Sequence, residues 1–217
     1  MITKKYLHSC LLIEDHGQKL LVDPGIFTFV DGRVKAADFG RVDAVLFTHT
    51  HDDHMDIPVL KEIVAVSKPR LITHRDAAVR LESESLGPVE ILEAGQEINI
   101  NGLSIRAFQA PHEEIPTEPP YNQAYLVGGK LLITGDSFRI EGLKMCEILT
   151  LPTGGPWLNL PDALRFAKSL NPRIVFPVHD GIFTDFYCQR LNGLVKNSLE
   201  KSGIEFRQLK LGERLEV

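Results

Sequence analysis

The sequence predicts an α/β protein in which two mixed β-sheets carry helices on their outer faces. Three observations carry this reading. Short apolar runs of strand length alternate with segments of helical spacing toward both ends of the chain. The middle is strand-rich, with two hairpin signals, Asn101-Gly102 and Gly128-Gly129. No internal repeat, low-complexity tract or charged linker divides the 217 residues, so a single domain spanning 1–217 is expected, long enough to bury a substantial core.

The elements follow in order. Tyr6–Glu14 and Lys19–Asp23 read as strands joined by a turn at Asp15-His16-Gly17-Gln18, and Val42–Thr48 reads as a short buried strand. Ile57–Val66 has helical spacing (Leu60, Ile63, Val64), with Pro58 near its start, where a missing N–H costs least. Arg70–Thr73 is a strand and Asp76–Leu81 a helix ending before Gly87-Pro88. Strands are expected at Glu90–Leu92, Glu97–Ile100, Leu103–Ala110, Gln123–Val127 and Lys130–Thr134. The last third alternates again, with a strand at Ile148–Leu151, a helix at Pro161–Leu170 and a strand at Arg173–Val178. A long helix at Asp185–Lys201 and a terminal strand at Ile204–Leu209 complete it. The proline-rich piece Ile115–Pro120 is the best candidate for a lid-like loop.

Composition narrows the function. The hydrophobic share of 43% and charged share of 24% are those of an ordinary soluble globular protein. A net charge of −5 without a basic block gives no electrostatic footprint for nucleic acid. Cys10, Cys146 and Cys188 are far apart, odd in number and form no CxxC pair, which argues against a disulfide framework and for a reducing compartment. The N-terminus has no apolar signal region and no run of 18 apolar residues occurs, so a cytoplasmic, non-membrane protein is expected.

The chemistry is concentrated in Thr48-His49-Thr50-His51-Asp52-Asp53-His54, which places three of the chain's 8 histidines beside two aspartates directly after an apolar run. Extended backbone points residues i and i+2 to one side, so His49 and His51 can converge on one ion. Asp53 and His54 follow where a bending chain can aim them at a second. Imidazole nitrogen and carboxylate oxygen are the donors that Zn²⁺, Mn²⁺ or Fe²⁺ accept. Single polar residues recur where other expected strands end: His112 in Ala110-Pro111-His112, Asp136 in Thr134-Gly135-Asp136, and His179 in Val178-His179-Asp180. Alone, an Asp after Gly is a turn residue and a lone His a satisfied one. Several strand ends delivering such groups to one rim describe a site.

His49-Thr50-His51-Asp52-Asp53-His54 matches the H-x-H-x-D-H signature of the metallo-β-lactamase superfamily, and His112, Asp136 and His179 fall in the order of that family's later ligands. The resemblance covers nearly the whole chain and implies a four-layer αββα sandwich with metals at one edge. Leu7–Glu14, Leu21-Val22-Asp23-Pro24, Gly154–Trp157 and Phe176–Gly181 resemble the branch of L-ascorbate-6-phosphate lactonase and related hydrolases. Carried over by position, His49, His51 and His112 would bind one divalent ion, Asp53, His54 and His179 a second, and Asp136 would bridge them. Zn²⁺ is the first expectation, with Mn²⁺ and Fe²⁺ as the other candidates. A hydroxide bridging two such ions would attack an ester, lactone or phosphodiester of a small molecule. Asp53 would ligate and also orient or accept the attacking proton, and His8 is a candidate for protonating the leaving group. Asp23 is expected behind the ligands, accepting an imidazole N–H. Tyr121 and Trp157 are expected to wall a substrate pocket. His16 reads as a solvated turn residue and His74 as a helix-start residue.

Rival readings share the fold. A glutathione thioesterase or persulfide dioxygenase has the same motif core. A di-iron oxidoreductase usually has a carboxylate where His51 stands. Nucleases of the superfamily add a large insertion, and many true β-lactamases have cysteine where Asp136 stands. A non-catalytic binding module typically loses ligands, and all seven positions are filled here. Relatives in the lactonase branch can be oligomeric, so a homo-oligomer is compatible with the resemblance.

Overall fold

The structure, a computed structural model, describes residues 1–217. The first half of the chain runs β1 (Ile2–Lys5), β2 (Leu11–Asp15), β3 (Gln18–Val22), α1 (Ile26–Phe29), a 3-10 turn (Ala36–Phe39), β4 (Ala44–Leu46), α2 (Ile57–Ser67), β5 (Arg70–Thr73), α3 (Arg75–Ser83) and β6 (Val89–Ile91). The second half runs β7 (Glu97–Ile100), β8 (Leu103–Gln109), β9 (Gln123–Val127), β10 (Leu131–Ile133), β11 (Ile148–Pro152), α4 (Leu160–Leu170), β12 (Ile174–Val178), α5 (Asp185–Glu200) and β13 (Glu205–Phe206). β14 (Arg214–Glu216) then returns to the first sheet.

The strands form two seven-stranded sheets, ordered β14-β1-β2-β3-β4-β5-β6 and β7-β8-β9-β10-β11-β12-β13. Each is an antiparallel meander continued by parallel strands: β1–β2–β3 then β4, β5, β6, and β8–β9–β10 then β11, β12, β13. An antiparallel edge strand, β14 or β7, flanks each meander. The chain therefore carries one plan twice. Sequence reading finds no repeat because only fragments survive, such as Lys19-Leu20-Leu21-Val22-Asp23 beside Lys130-Leu131-Leu132-Ile133-Thr134-Gly135-Asp136.

Alternation along the strands explains the layers. Leu11, Ile13, Leu20, Val22 and Leu46 from one sheet meet Ile105, Tyr125, Val127, Ile133 and Phe176 from the other in the central layer. Leu12, Leu21, Val45 and Leu71 face Leu60 and Ile63 of α2 and Ala77 and Leu81 of α3 on the first sheet's outer face. Leu132, Leu149 and Val175 face Phe166 of α4 and Val195 and Leu199 of α5 on the second's. Each fully buried Leu, Ile or Val contributes about 1.5–3 kcal/mol, so these three layers supply most of the driving force. The result is the expected αββα sandwich. No helix is long and apolar enough to cross a membrane.

Two expected elements are corrected. Tyr6–Glu14 is not one strand: β1 ends at Lys5 and β2 begins at Leu11, with a tight turn closed by Tyr6 N–H to Cys10 O (2.9 Å) and Cys10 N–H to Leu7 O (3.2 Å). His8 sits in that turn at φ 58°. The terminal strand expected at Ile204–Leu209 shrinks to Glu205–Phe206, because the chain leaves β12 there to cross to the other sheet. The last strand is instead β14, tied to the N-terminus by Met1 N to Val217 O (2.8 Å) and Val217 N–H to Met1 O (3.0 Å).

Candidate metal centre

β4 ends at Leu46, and the loop after it closes on itself through His54 N–H and Met55 N–H to the His51 carbonyl (3.0 and 2.9 Å). That turn separates the loop's side chains into two directions. The loop is braced from α3 by the Arg80 guanidinium, which meets the Thr50 carbonyl and the Asp52 carboxylate. Gly25 lies so close that a Cβ there would sit 1.8 Å from the Asp53 carbonyl oxygen, which requires glycine. His112 follows β8, Asp136 follows β10 and His179 follows β12, so both sheets deliver side chains to one rim.

The side chains fall into two groups of potential ligands, His49/His51/His112/Asp136 and His8/Asp53/His54/His179, the ligand atoms within each group lying within 4.8 Å of one another. In the first, His49 Nε2 is 3.1 Å from His51 Nδ1. Asp136 Oδ2 is 3.4 Å from His112 Nε2 and 3.9 Å from His49 Nε2. Asp136 also reaches the second group, Oδ1 to His54 Nε2 at 3.2 Å and Oδ2 to His179 Nε2 at 3.2 Å. Asp53 Oδ2 lies 3.3 Å from the same His179 nitrogen. Asp136 is thus the one carboxylate in contact with both groups.

The other ring nitrogens of His54, His49 and His112 are held from behind. His54 Nδ1–H donates to Asp23 Oδ2 (2.9 Å), and Asp23 also accepts from Thr48 N–H (2.8 Å) and the Thr48 hydroxyl (2.7 Å). That hydroxyl in turn lies 3.1 Å from His49 Nδ1, and His112 Nδ1–H donates to the Glu113 carbonyl (2.6 Å). Asp23 thus lies behind the imidazole of His54. With their other nitrogens so committed, His54 Nε2 and His112 Nε2, together with His179 Nε2 and Asp136 Oδ1, are buried and have no hydrogen-bond partner. A protein leaves so many buried polar atoms unpaired only where something else satisfies them. Unpaired imidazole nitrogens around a shared carboxylate are the donor set of a Zn²⁺, Mn²⁺ or Fe²⁺ site, and the residues fit such ions.

Electrostatics agree. Burial would raise the Asp136 and Asp53 carboxyls, but neighbouring imidazoles hold both well below the usual carboxylate range. Burial would lower His54 and His179, yet Asp136 in both cases, with Asp23 or Asp53 added, raises them, His179 to about 9. Positive charge at this spot is what the buried carboxylates demand. His49 and His51, desolvated and beside other imidazoles, are lowered.

His8 is fully buried, its ring 3.9 Å from that of His179. Gly181 N–H points at His8 Nδ1 (3.2 Å), which makes that nitrogen the acceptor, so Nε2 carries the proton and donates it to Asp53 Oδ2 (3.1 Å). As a ligand through Nε2, His8 would have to turn a second N–H against Gly181. Burial and the neighbouring charge of His179 push its pKa down to about 4. His8, Asp23 and His179 all have left-handed φ (58°, 44° and 60°), so the rim holds three strained non-glycine positions.

Trp157 packs edge-on to His112 (6.0 Å) and His179 (5.3 Å), one imidazole from each group, and so walls the cleft. Tyr121 does not join it: its aromatic neighbour is His74 (4.7 Å). His74 caps α3, its Nδ1 accepting from Ala77 N–H, and His16 is exposed in a turn. Asn122, Lys5 and Asp180 went unnoticed in the sequence. Lys5 Nζ is held by both Asp180 oxygens at 2.9 Å, fixing the residue after His179. No local pattern could have revealed that pair, because 175 residues separate its members.

Two sheets, one shared rim and a paired donor set define the class, a metallo-β-lactamase fold. The chain belongs to the beta-lactamase superfamily, whose domain model matches residues 3–179. A UPF0173 protein of Pyrococcus furiosus is 30% identical over 185 residues, 82% of each chain. A UPF0173 metal-dependent hydrolase of Methanopyrus kandleri is 28% identical over 195 residues, 81% of this chain and 82% of that one. Igni18, a metallo hydrolase from Ignicoccus hospitalis, superposes with a TM-score of 0.77 at 21% identity over 100% of this chain and 98% of that chain. The superfamily is thereby established. The narrower likeness to the ascorbate-6-phosphate lactonase branch rests on the sequence motifs alone.

Proposed function

We propose that the protein is a metal-dependent hydrolase that cleaves an ester, lactone or phosphodiester of a small molecule at a two-ion centre in the cytoplasm. One observation carries the reading: Asp136 contacts both donor groups, and the buried His54 Nε2, His112 Nε2, His179 Nε2 and Asp136 Oδ1 have no hydrogen-bond partner. His49, His51, His112 and Asp136 would hold one divalent ion, and Asp53, His54, His179 and Asp136 the other. Bound there, Zn²⁺, Mn²⁺ or Fe²⁺ supplies Lewis acidity and a water whose pKa falls toward about 7.

The chain's own groups do the rest. Asp53 is the most solvent-open carboxylate of the set, its side chain 21% exposed. Oδ2 accepts from His8 Nε2–H, and the carboxylate would orient the attacking water and accept its proton. His8 holds its single ring proton on Nε2 against Asp53, and so steadies the carboxylate rather than reaching a leaving group directly. Trp157 keeps one flank of the cleft dry and offers an aromatic face to substrate.

The test is elemental analysis of purified protein, then a panel of lactones, phosphodiesters, thioesters and sugar phosphates on protein reconstituted with Zn²⁺, Mn²⁺ or Fe²⁺. One to two ions per chain are expected, and His51→Ala should lose most of the metal and the activity. Full turnover by metal-free protein would sink the proposal. Preferential turnover of glutathione thioesters would move it to the thioesterase reading.

A further inference from the structure

The ligand groups come from both sheets, yet nothing in the ligand motifs explains what sets His112 and Asp136 at the correct separation. The two residues follow different strands, β8 and β10, and both strand ends are gripped by one buried side chain, Asn122, just before β9. Its Nδ2 donates to the Ala110 carbonyl (2.7 Å) and the Thr134 carbonyl (3.1 Å), two residues before His112 and Asp136 respectively. Its Oδ1 accepts from Asp136 N–H (3.2 Å). The Asp136 carbonyl is held on its other side by Glu113 N–H (2.8 Å), so the Asp136 backbone is fixed at both polar atoms.

The clamp extends to the first sheet. Gln123 N–H donates to the Thr48 carbonyl (3.1 Å), immediately before His49, and the Tyr125 hydroxyl donates to the Phe47 carbonyl (3.0 Å). Gly135, at φ 54°, has no room for a side chain, since a Cβ would lie 2.1 Å from Asn122 Oδ1 and 2.9 Å from Thr48 Cβ. The polarity is specific: two donors and one acceptor on a short stem are what a carboxamide supplies, and neither a carboxylate nor a hydroxyl can replace it.

We infer that Asn122 is a positioning residue that sets the spacing of His112 and Asp136, and through Asp136 the spacing of the two ion sites. The inference rests on the metal reading above. Its test is Co²⁺ titration of metal-stripped wild type, Asn122→Asp and Asn122→Ser, read by visible absorption and by competition with a chelator, with circular dichroism and thermal melting in parallel. Asp turns an acceptor toward two carbonyls; Ser is too short to reach them. Both variants should keep their secondary structure, bind Co²⁺ about 10–100-fold more weakly, and show an altered Co²⁺ spectrum. A lowered melting temperature with unchanged Co²⁺ affinity and spectrum would overturn the inference and leave Asn122 a plain structural clamp, as would loss of fold in both variants. Wild type that binds no Co²⁺ would sink the metal reading and this inference together, whereas tight binding by all three proteins would remove Asn122's role alone.

Discussion

Asp23 receives three hydrogen bonds, from His54 and from both donors of Thr48, so an isosteric amide there must turn an NH₂ against a donor. Asp23→Asn should therefore weaken ion binding about 10–100-fold, measured by chelator competition, and unchanged binding would remove its positioning role. His74 makes a separate prediction. Burial holds its pKa down at about 4, against about 6.5 in an unfolded chain. The unfolded state takes up the proton first as pH falls, so stability is fully present above about 6.5 and is lost down to about 4. The loss is about 3 kcal/mol from this one group. His74→Asn keeps the cap of α3 without the titration, so urea unfolding at several pH values should show a shallower decline than wild type. Residue identity at the rim was readable in advance wherever chemistry is local, as in the His49–His54 cluster. Asn122 was invisible because an asparagine before a strand reads as a turn residue until its three partners, 12 and 14 positions away, are brought to it.

Elements were legible where local preference and tertiary packing agree. α2 carries a start signal in sequence, Pro58 in the first turn, and its apolar face (Leu60, Ile63) packs on the first sheet; the structure adds a cap, Asp56 accepting from Val59 N–H (3.1 Å). Asp56 N–H also reaches the Pro24 carbonyl (3.1 Å), so the cap fixes where the metal-binding loop ends. Asp56→Ala should cost about 1 kcal/mol and lower the melting temperature by roughly 2–4 °C in a chain of this size. No change in a thermal melt would show that packing alone holds this start. β1 and β14 were not legible because neither has a pattern of its own. Ile2–Lys5 is polar at three of its four positions, and Arg214–Glu216 buries only Leu215, so their pairing at the sheet edge decides their conformation.

At the scale of the molecule the repeated plan explains why chemistry gathers at one edge. His8 and His112 precede the second strand of their meanders, Asp23 and Asp136 follow the third, and His74 and His179 follow β5 and β12. The second half turns its set toward the proposed ion sites. The first half uses Asp23 to hold His54 and His74 to cap a helix, and its ligands come instead from the loop after β4. Ligands from both sheets would make bound ions cross-links between the halves, so ion binding should appear as stability. A site that forms only in the native chain stabilises by RT ln(1 + [L]/Kd), about 4 kcal/mol at a free ion concentration 1,000 times Kd. Zn²⁺-loaded protein should therefore melt several degrees above the chelator-stripped form, with a midpoint that rises with free Zn²⁺. His51→Ala, which removes a ligand of one group, should lose much of that rise. Asp56→Ala, which removes only a helix cap, should melt lower but keep the full Zn²⁺-dependent increment. Equal increments in the two variants, or no increment in wild type, would mean that the two halves are held by their shared apolar layer alone.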